Sequence, residues 1–210
     1  MASKAMLRDV VENAGAEWWD RFFQTQATQV SRRFKLARMV YWYPSERMPL
    51  DLFSYIREAA LCFSVARFLA TVILSSCTVE LILNRDRRTT GITDFRRIGS
   101  WITLNNQNLK IAGELGLPIA PLISAGEDID SRRPIRFVER RNKVAHGDVA
   151  DMLRSLSDYD PHAEDEAYDQ LIKAENYCVE WFNGAPDVQQ SHIQSHTWPT
   201  DAPGDLTEDI

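Results

Sequence analysis

Cysteine is scarce in this chain. Three thiols, Cys62, Cys77 and Cys178, occur among 210 residues, and no two of them are spaced as a CxxC pair. An odd number of widely spaced cysteines argues against a disulfide framework and against a zinc ribbon. The pattern favours a protein of a reducing compartment.

A long uninterrupted hydrophobic run is also missing. The most apolar stretch covers 59–79, and Arg67 divides it. The uncharged part, 68–79, is shorter than the roughly 20 residues that a membrane-spanning helix needs. The first eight residues lack the apolar core of a signal peptide. We therefore expect a soluble, cytoplasmic protein with no membrane partner.

Positive charge is not in excess. Lys and Arg number 24 against 30 Asp and Glu, a net charge of -6. This balance excludes a uniformly basic nucleic-acid coat, although a local basic patch remains possible. Residues 185–210 hold five acids and three prolines and neither Lys nor Arg. Their composition predicts a disordered acidic tail.

Strand signals are weak, whereas helical periodicity is widespread. The sequence predicts an all-α, up-and-down bundle in three parts: an N-terminal helical extension over 1–45, a helical domain over 46–184 and the tail over 185–210. The predicted helices cover roughly 3–24, 27–40, 51–84, from Thr93 or Asp94 to between Gly113 and Gly116, 134–146, 149–156 and 163–183.

The densest basic cluster lies in the fifth of these predicted helices. Six cations stand against one acid, Glu139, within 132–143: Arg132, Arg133, Arg136, Arg140, Arg141 and Lys143. His146 lies three residues after Lys143, the last residue of this cluster. Such a cluster can bind phosphates, an Arg can stabilise charge that develops on phosphorus, and a His can transfer a proton near neutral pH. Asn142 can orient the imidazole or contact the ligand. The set suits phosphodiester cleavage without a metal.

Helix geometry leaves alternatives open. Glu139, Asn142 and His146 share one helix face at i, i+3 and i+7, and Arg141 is rotated off that face. His146 can equally serve only as a cation at the helix C-terminus, with the arginines simply solvated. Glu80, a carboxylate in a strongly apolar helix, can orient Arg141 and His146 or be an ordinary charge near a helix end.

The run Arg141-Asn142-Lys143-Val144-Ala145-His146 resembles the signature of the HEPN superfamily (higher eukaryotes and prokaryotes nucleotide-binding domain). That signature is an Arg, commonly followed by Asn, and then a His; here four residues intervene between Arg141 and His146. The Gly after the His and the apolar helix that carries Glu80 are also similar. The resemblance covers about 50–184.

The resemblance implies a helical bundle that forms a homodimer and brings two Arg/His motifs into one cleft. It further implies a metal-independent endoribonuclease of the kind that acts as a toxin or antiviral defence effector, with an antitoxin or defence-system partner. Arg141, His146 and Asn142 are then the catalytic residues, Glu80 and Glu139 support them, and RNA phosphates bind Arg133, Arg136, Arg140 and Lys143. In some toxin members a Tyr follows the His by two residues and is modified by a partner. This chain has Asp148 there, which puts that mode of neutralisation in doubt.

A second interpretation belongs to another class of function. Some members of the superfamily have lost catalysis, and the net acidity of this chain also suits a non-catalytic HEPN-like module that binds a partner protein or a nucleotide. A plain helical structural protein is the third. No cofactor or metal site is predicted, because the P-loop, GxGxxG, HExxH and GxSxG motifs are absent and no cluster of metal ligands is evident.

Overall fold

The computed structural model describes residues 16–37, 49–150, 152 and 160–184, with side chains from residue 24 onward. These residues are mostly helical, which confirms the all-α prediction. Six α-helices and one short hairpin follow in chain order: α1 Ala16–Leu36, α2 Leu50–Ser64, α3 Phe68–Arg85, β1 Arg97–Ile98, β2 Trp101–Ile102, α4 Asn106–Glu114, α5 Arg136–Ala145 and α6 Pro161–Gly184. Single 3-10 turns lie at Arg87–Thr89 and Ala120–Leu122.

Helix α3 lies at the centre of the bundle and contacts α2, α5 and α6. Its apolar residues face these neighbours, so that Val72, Val79, Ile82 and Leu83 are all fully buried. The buried hydroxyls of Ser76 and Thr78 donate to carbonyls one turn earlier, at 2.8 and 3.0 Å. Intrahelical bonds of this kind allow hydroxyl side chains within the core.

The single helix predicted over 51–84 is wrong, because the chain breaks it at 65–67. Arg67 N donates to Cys62 O at 2.8 Å and Ala66 N to Phe63 O at 3.1 Å, which is the hydrogen-bond pattern of a Schellman ending. Ala66 adopts the left-handed conformation this ending needs, at φ 59°. A non-glycine residue pays about 1–2 kcal/mol there. The apolar run contains no Gly or Pro to reveal the break.

The helix predicted to begin at Thr93 or Asp94 is also wrong, because it begins only at Asn106. Asn105 caps it by accepting from Asn108 N at 2.9 Å. The preceding residues form the β1–β2 hairpin, which turns at Gly99 with φ 60°. Two-residue strands are too short to give an alternating pattern, so the hairpin has no signal in the sequence.

The two helices predicted over 3–24 and 27–40 are one helix in the described region, because α1 continues without a break from Ala16 to Leu36. It is attached to α6 by Arg33, whose Nε donates to Glu164 at 2.8 Å, and by a second ion pair from Arg32 to the same carboxylate. Helix α6 confirms the prediction over 163–183. The predicted tail over 185–210 and most of the helix predicted over 149–156 lie outside the described residues.

Helix α3 is the one helix in the described ranges that is long and apolar enough to cross a bilayer, by length and composition alone. About half of it, 56%, is buried inside the bundle. The core helix of a globular protein has the same length and composition, so α3 is weak support for a membrane span.

Candidate functional site

The first turn of α5 is held by a carboxylate from the preceding loop. Glu127 accepts from Ser124 N at 2.7 Å and from Arg136 N at 2.6 Å, and so satisfies a backbone donor that the start of a helix leaves without an intrahelical partner. Burial of Glu127 opposes its ionisation, but these backbone hydrogen bonds outweigh burial and lower its pKa. The loop that carries Glu127 therefore sets where α5 begins.

A second contact ties the same loop to α4. The side chain of Asn106 donates to Arg133 O at 2.9 Å and accepts from Ile135 N at 3.0 Å. The helix was predicted over 134–146, and it spans Arg136–Ala145 because Pro134 and Ile135 stay extended against Asn106. Asn106 and Glu127 both position the candidate site, and sequence reasoning missed both, since neither stands in a motif.

Helix α5 ends at Ala145, one residue before the predicted end at His146. Asp148 N donates to Lys143 O at 2.9 Å and Gly147 N to Val144 O at 3.2 Å, which is a second Schellman ending. Gly147 has φ 76°, a conformation that glycine adopts without a steric penalty. His146 occupies the C-cap position, and its side chain is exposed.

Arg140 is not part of an exposed phosphate-binding surface, which corrects its place in the predicted set. The residue is 4% exposed, and its guanidinium forms ion pairs with Glu166 and Asp169 of α6. Burial of Asp169 opposes its ionisation, but hydrogen bonds from Arg140 and Lys173 outweigh burial and lower the pKa of this carboxyl. Arg140 joins α5 to α6 and has a structural role.

Arg141, the next residue, turns towards α3. Its Nη2 donates to Glu80 Oε1 at 3.0 Å and its Nη1 to Asn142 Oδ1 at 3.2 Å. Glu80 is 8% exposed and also accepts from Leu104 N at 3.0 Å. The Glu80 carboxylate thus pairs with the Arg141 guanidinium and is itself held by a backbone donor.

The other predicted residues lie on α5 or next to it: Arg133 precedes the helix and His146 is its C-cap. Arg133, Arg136 and His146 are all exposed. Lys143 pairs with Glu139 at 3.1 Å, one turn away, so Glu139 lies beside the predicted phosphate contacts. In the described part of the chain no hydrogen bond or ion pair joins the His146 imidazole to another side chain.

The arrangement presents one positioned, partly exposed guanidinium, and the exposed His146 lies five residues further on at the C-cap of the same helix. Two of the five N–H groups of Arg141 are used by Glu80 and Asn142, and the remaining three can bind an anion. Among the described residues no group of three or more His, Cys, Asp or Glu side chains could hold a metal ion. An open depression of about 460 Å³ beside α4, lined by Lys110, Gly113 and Ile119, contains none of the predicted site residues.

Comparison of the chain with protein-family models, with curated protein sequences and with solved structures finds no match.

Proposed function

We propose that this protein is a metal-independent endoribonuclease of HEPN type, which cleaves RNA with Arg141 and His146. One observation carries the proposal: the Glu80 carboxylate, nearly buried in the apolar α3, holds the Arg141 guanidinium at 3.0 Å, on the helix whose C-cap is the exposed His146. Burying a carboxylate is costly unless it is paired. A nearly buried carboxylate that fixes a partly exposed guanidinium, five residues before an exposed histidine, suits anion recognition better than it suits packing.

In the proposed reaction Arg141 stabilises the charge that develops on phosphorus. The ribose 2′-oxygen attacks the adjacent phosphorus while His146 takes the 2′-hydroxyl proton. The bond to the 5′-oxygen breaks, and this leaving group accepts a proton, so that the products are a 2′,3′-cyclic phosphate and a 5′-hydroxyl. Asn142, which accepts from Arg141, restrains the guanidinium, and Glu80 positions it.

The proposed reaction needs both an acid and a base, whereas one chain offers one His146. A symmetric dimer with its α5 helices near the two-fold axis supplies two histidines to one cleft. The exposed side chains of Arg133 and Arg136, with Lys143, then surround the cleft as phosphate contacts. Light scattering at tens of micromolar tests the dimer, and a monomer would argue against it.

The wider proposal is an HEPN-like domain over 46–184 that acts in the cytoplasm as a toxin or defence effector with an antitoxin or defence-system partner. It rests on the Arg-Asn-x-x-x-His run and on the helical bundle that carries it.

The second candidate function is a non-catalytic HEPN-like module that binds a partner protein or a nucleotide. The same pair of side chains supports it, because Glu80 offsets the charge of Arg141, and the exposed Asp148 adds negative charge next to His146. Both carboxylates weaken attraction for a polyanion.

A cleavage assay separates the two candidates. Purified protein and the His146→Ala variant are incubated with labelled RNA, with and without EDTA. We expect the wild type to cleave in EDTA and to leave a 2′,3′-cyclic phosphate, and His146→Ala to be inactive with an unchanged melting temperature. Equal cleavage by both proteins would remove His146 from the mechanism. If the wild type cleaves no RNA, the non-catalytic module is the better account.

A further inference from the structure

The β1–β2 hairpin exposes an apolar pair on its outer face. Ile98 lies opposite Trp101 in the register, so their side chains project from the same face. Ile98 is 77% exposed and Trp101 is 42% exposed. The other cross-strand pair joins Arg97 to Ile102, and Ile102 is buried in the core at 1% exposure. The hairpin therefore faces the core through Ile102 and faces solvent with an isoleucine and an indole.

One uncompensated arginine, Arg96, lies two residues before Ile98. It is exposed and pairs with no carboxylate in the described ranges of the chain. Arg97 lies on the other face of the hairpin, where its guanidinium donates to Ser100 O at 2.9 Å and to Ile92 O at 3.2 Å and lies over the Phe95 ring. An exposed indole with an arginine near it complements a ligand that has both flat aromatic rings and negative charge.

Two side-chain amides hold the hairpin in place. Asn84 of α3 accepts from Ile102 N at 2.7 Å and donates to Ile102 O at 2.9 Å. Asn108 of α4 accepts from Arg96 N and donates to Arg96 O, both at 2.8 Å. A surface held by four such bonds is ordered before any ligand binds, which reduces the entropic cost of binding.

The hairpin is connected to the candidate site through Glu80. Leu104, two residues after β2, donates its backbone N–H to the same carboxylate oxygen that Arg141 contacts. Trp101 precedes Leu104 by three residues, and extended chain rises about 3.3 Å per residue, so the Cα atoms of the two residues are separated by no more than ~10 Å. The two hydrogen bonds to Glu80 therefore link the end of the hairpin to the residue that positions Arg141.

We propose that the β1–β2 hairpin is a stacking platform for single-stranded RNA. A base stacks on Trp101 with Ile98 at its edge, and a flanking phosphate binds Arg96. This inference rests on the proposed ribonuclease and names its substrate class, because duplex RNA hides the base faces that stacking requires. A second copy of the chain fits the face less well, since a two-fold contact would bring the arginines of both copies together.

Binding and catalysis are separated by measuring affinity in an inactive background. A fluorescein-labelled single-stranded oligouridylate is titrated with full-length His146→Ala protein, and anisotropy is recorded. Adding Trp101→Ala should weaken binding at least about fivefold, since each stacked base contributes a factor of roughly this size or more to affinity. Adding Trp101→Phe in its place should retain most of the affinity, because the phenyl ring can also stack. Tyr55→Ala is the matched control, because Tyr55 is similarly exposed at 39% but lies on α2. It should leave the affinity unchanged.

A second variant tests the flanking charge without touching the indole. Arg96→Ala should lower the slope of log affinity against log salt by about 1, as expected for one lost phosphate contact. A labelled duplex of equal length should bind more weakly than the single strand. Unfolding of any variant is detected by its melting temperature, and Trp101→Phe and Arg96→Ala keep the test informative if Trp101→Ala does not fold.

The outcomes distinguish this inference from the proposed function. Unchanged affinity in both Trp101→Ala and Arg96→Ala, or tighter binding of the duplex, overturns the stacking platform even if the wild type cleaves RNA through His146. Loss of a dimer in Trp101→Ala without loss of RNA binding also overturns it, in favour of a contact between copies of the chain. Weaker binding in Trp101→Ala, restored by Trp101→Phe, supports the platform even if His146→Ala leaves cleavage unchanged.

Discussion

Two adjacent arginines of α5 lie in opposite environments. Arg140 is enclosed between α5 and α6, where it forms ion pairs with Glu166 and Asp169. Arg141 turns towards α3 and meets one carboxylate, Glu80, while part of its guanidinium remains accessible. Successive residues of a helix differ by about 100° in direction, so neighbours in sequence face different partners. A basic cluster in a sequence is therefore not a basic surface until the helix packing is known.

Removing Arg141 should have the largest effect on activity. We expect Arg141→Ala to lower the RNA cleavage rate by about 10²–10³-fold, because one preorganised donor to the transition-state charge is lost. Arg141→Lys should rescue poorly, since an ammonium lacks the planar fork. The measurement is single-turnover cleavage. Arg57→Ala, which removes the same charge from an exposed position on α2, is the control and should leave the rate unchanged. Similar losses of cleavage rate in both variants would mean that Arg141 contributes only its net charge.

Removing Arg140 should instead lower stability. Arg140→Ala leaves Glu166 and Asp169 without their buried cation, and we expect the free energy of unfolding to fall by about 2–4 kcal/mol. Urea denaturation measures it. Arg136→Ala, one turn earlier and exposed, should change stability by no more than about 0.5 kcal/mol. Loss of cleavage at unchanged stability in Arg140→Ala would contradict the division of roles between the two arginines.

Neutralising Glu80 should give an intermediate effect. Glu80→Gln can still accept from Leu104 N but no longer offers a charged partner to Arg141, so the guanidinium is held less firmly. We expect cleavage to fall about 3–10-fold, equivalent to roughly 1 kcal/mol, mainly in kcat. Glu58→Gln, which removes the same charge from an exposed position on α2, is the control and should leave cleavage unchanged. A faster Glu80→Gln enzyme would show that the carboxylate weakens phosphate binding more than it positions Arg141.

The smallest expected effect is a change in acid sensitivity. The pKa of Asp169 in the fold lies below its usual value of 3.8, so the unfolded chain binds more protons there. The stability from this carboxylate is present above pH about 4 and is lost as the pH falls through the lower, folded pKa. Melting temperatures between pH 6 and pH 3 should therefore fall less steeply for Asp169→Asn than for the wild type. Asp165→Asn, exposed on the same helix, controls for the loss of one charge. If the melting temperature of Asp169→Asn falls with pH as steeply as that of the wild type, the ion pairs with Arg140 and Lys173 add nothing to stability.

The two Schellman endings explain why some helix limits could be predicted and others could not. At the end of α5 the left-handed position is Gly147, a residue type that marks helix ends in sequences. At the end of α2 the same conformation is adopted by Ala66, which gives no such signal, and the break between α2 and α3 was missed. The local conformation there is imposed by packing of α2 and α3 against each other.

The candidate site likewise has features that the sequence predicts and features that it does not. The spacing of Arg141, Asn142 and His146 along one helix is a property of the sequence, and so is the position of His146 next to Gly147. Which carboxylate each arginine meets depends on pairs far apart in the chain, since Glu80 and Arg141 are 61 residues apart and Arg140 and Asp169 are 29 apart. Hydrophobic periodicity reports which face of a helix is buried, but it carries no information on the partner that covers that face.

Residue chemistry and helical period were thus sufficient for the all-α class, for α6 and for the C-terminal end of α5, because these depend on neighbours within a few positions. Packing between elements distant in the chain placed Arg140 inside and Arg141 at the surface. It also formed a hairpin from residues expected to be helical and left Trp101 facing solvent. Such contacts depend on how helix faces and backbone polar groups are satisfied across the whole bundle, and no short stretch of the sequence contains that information.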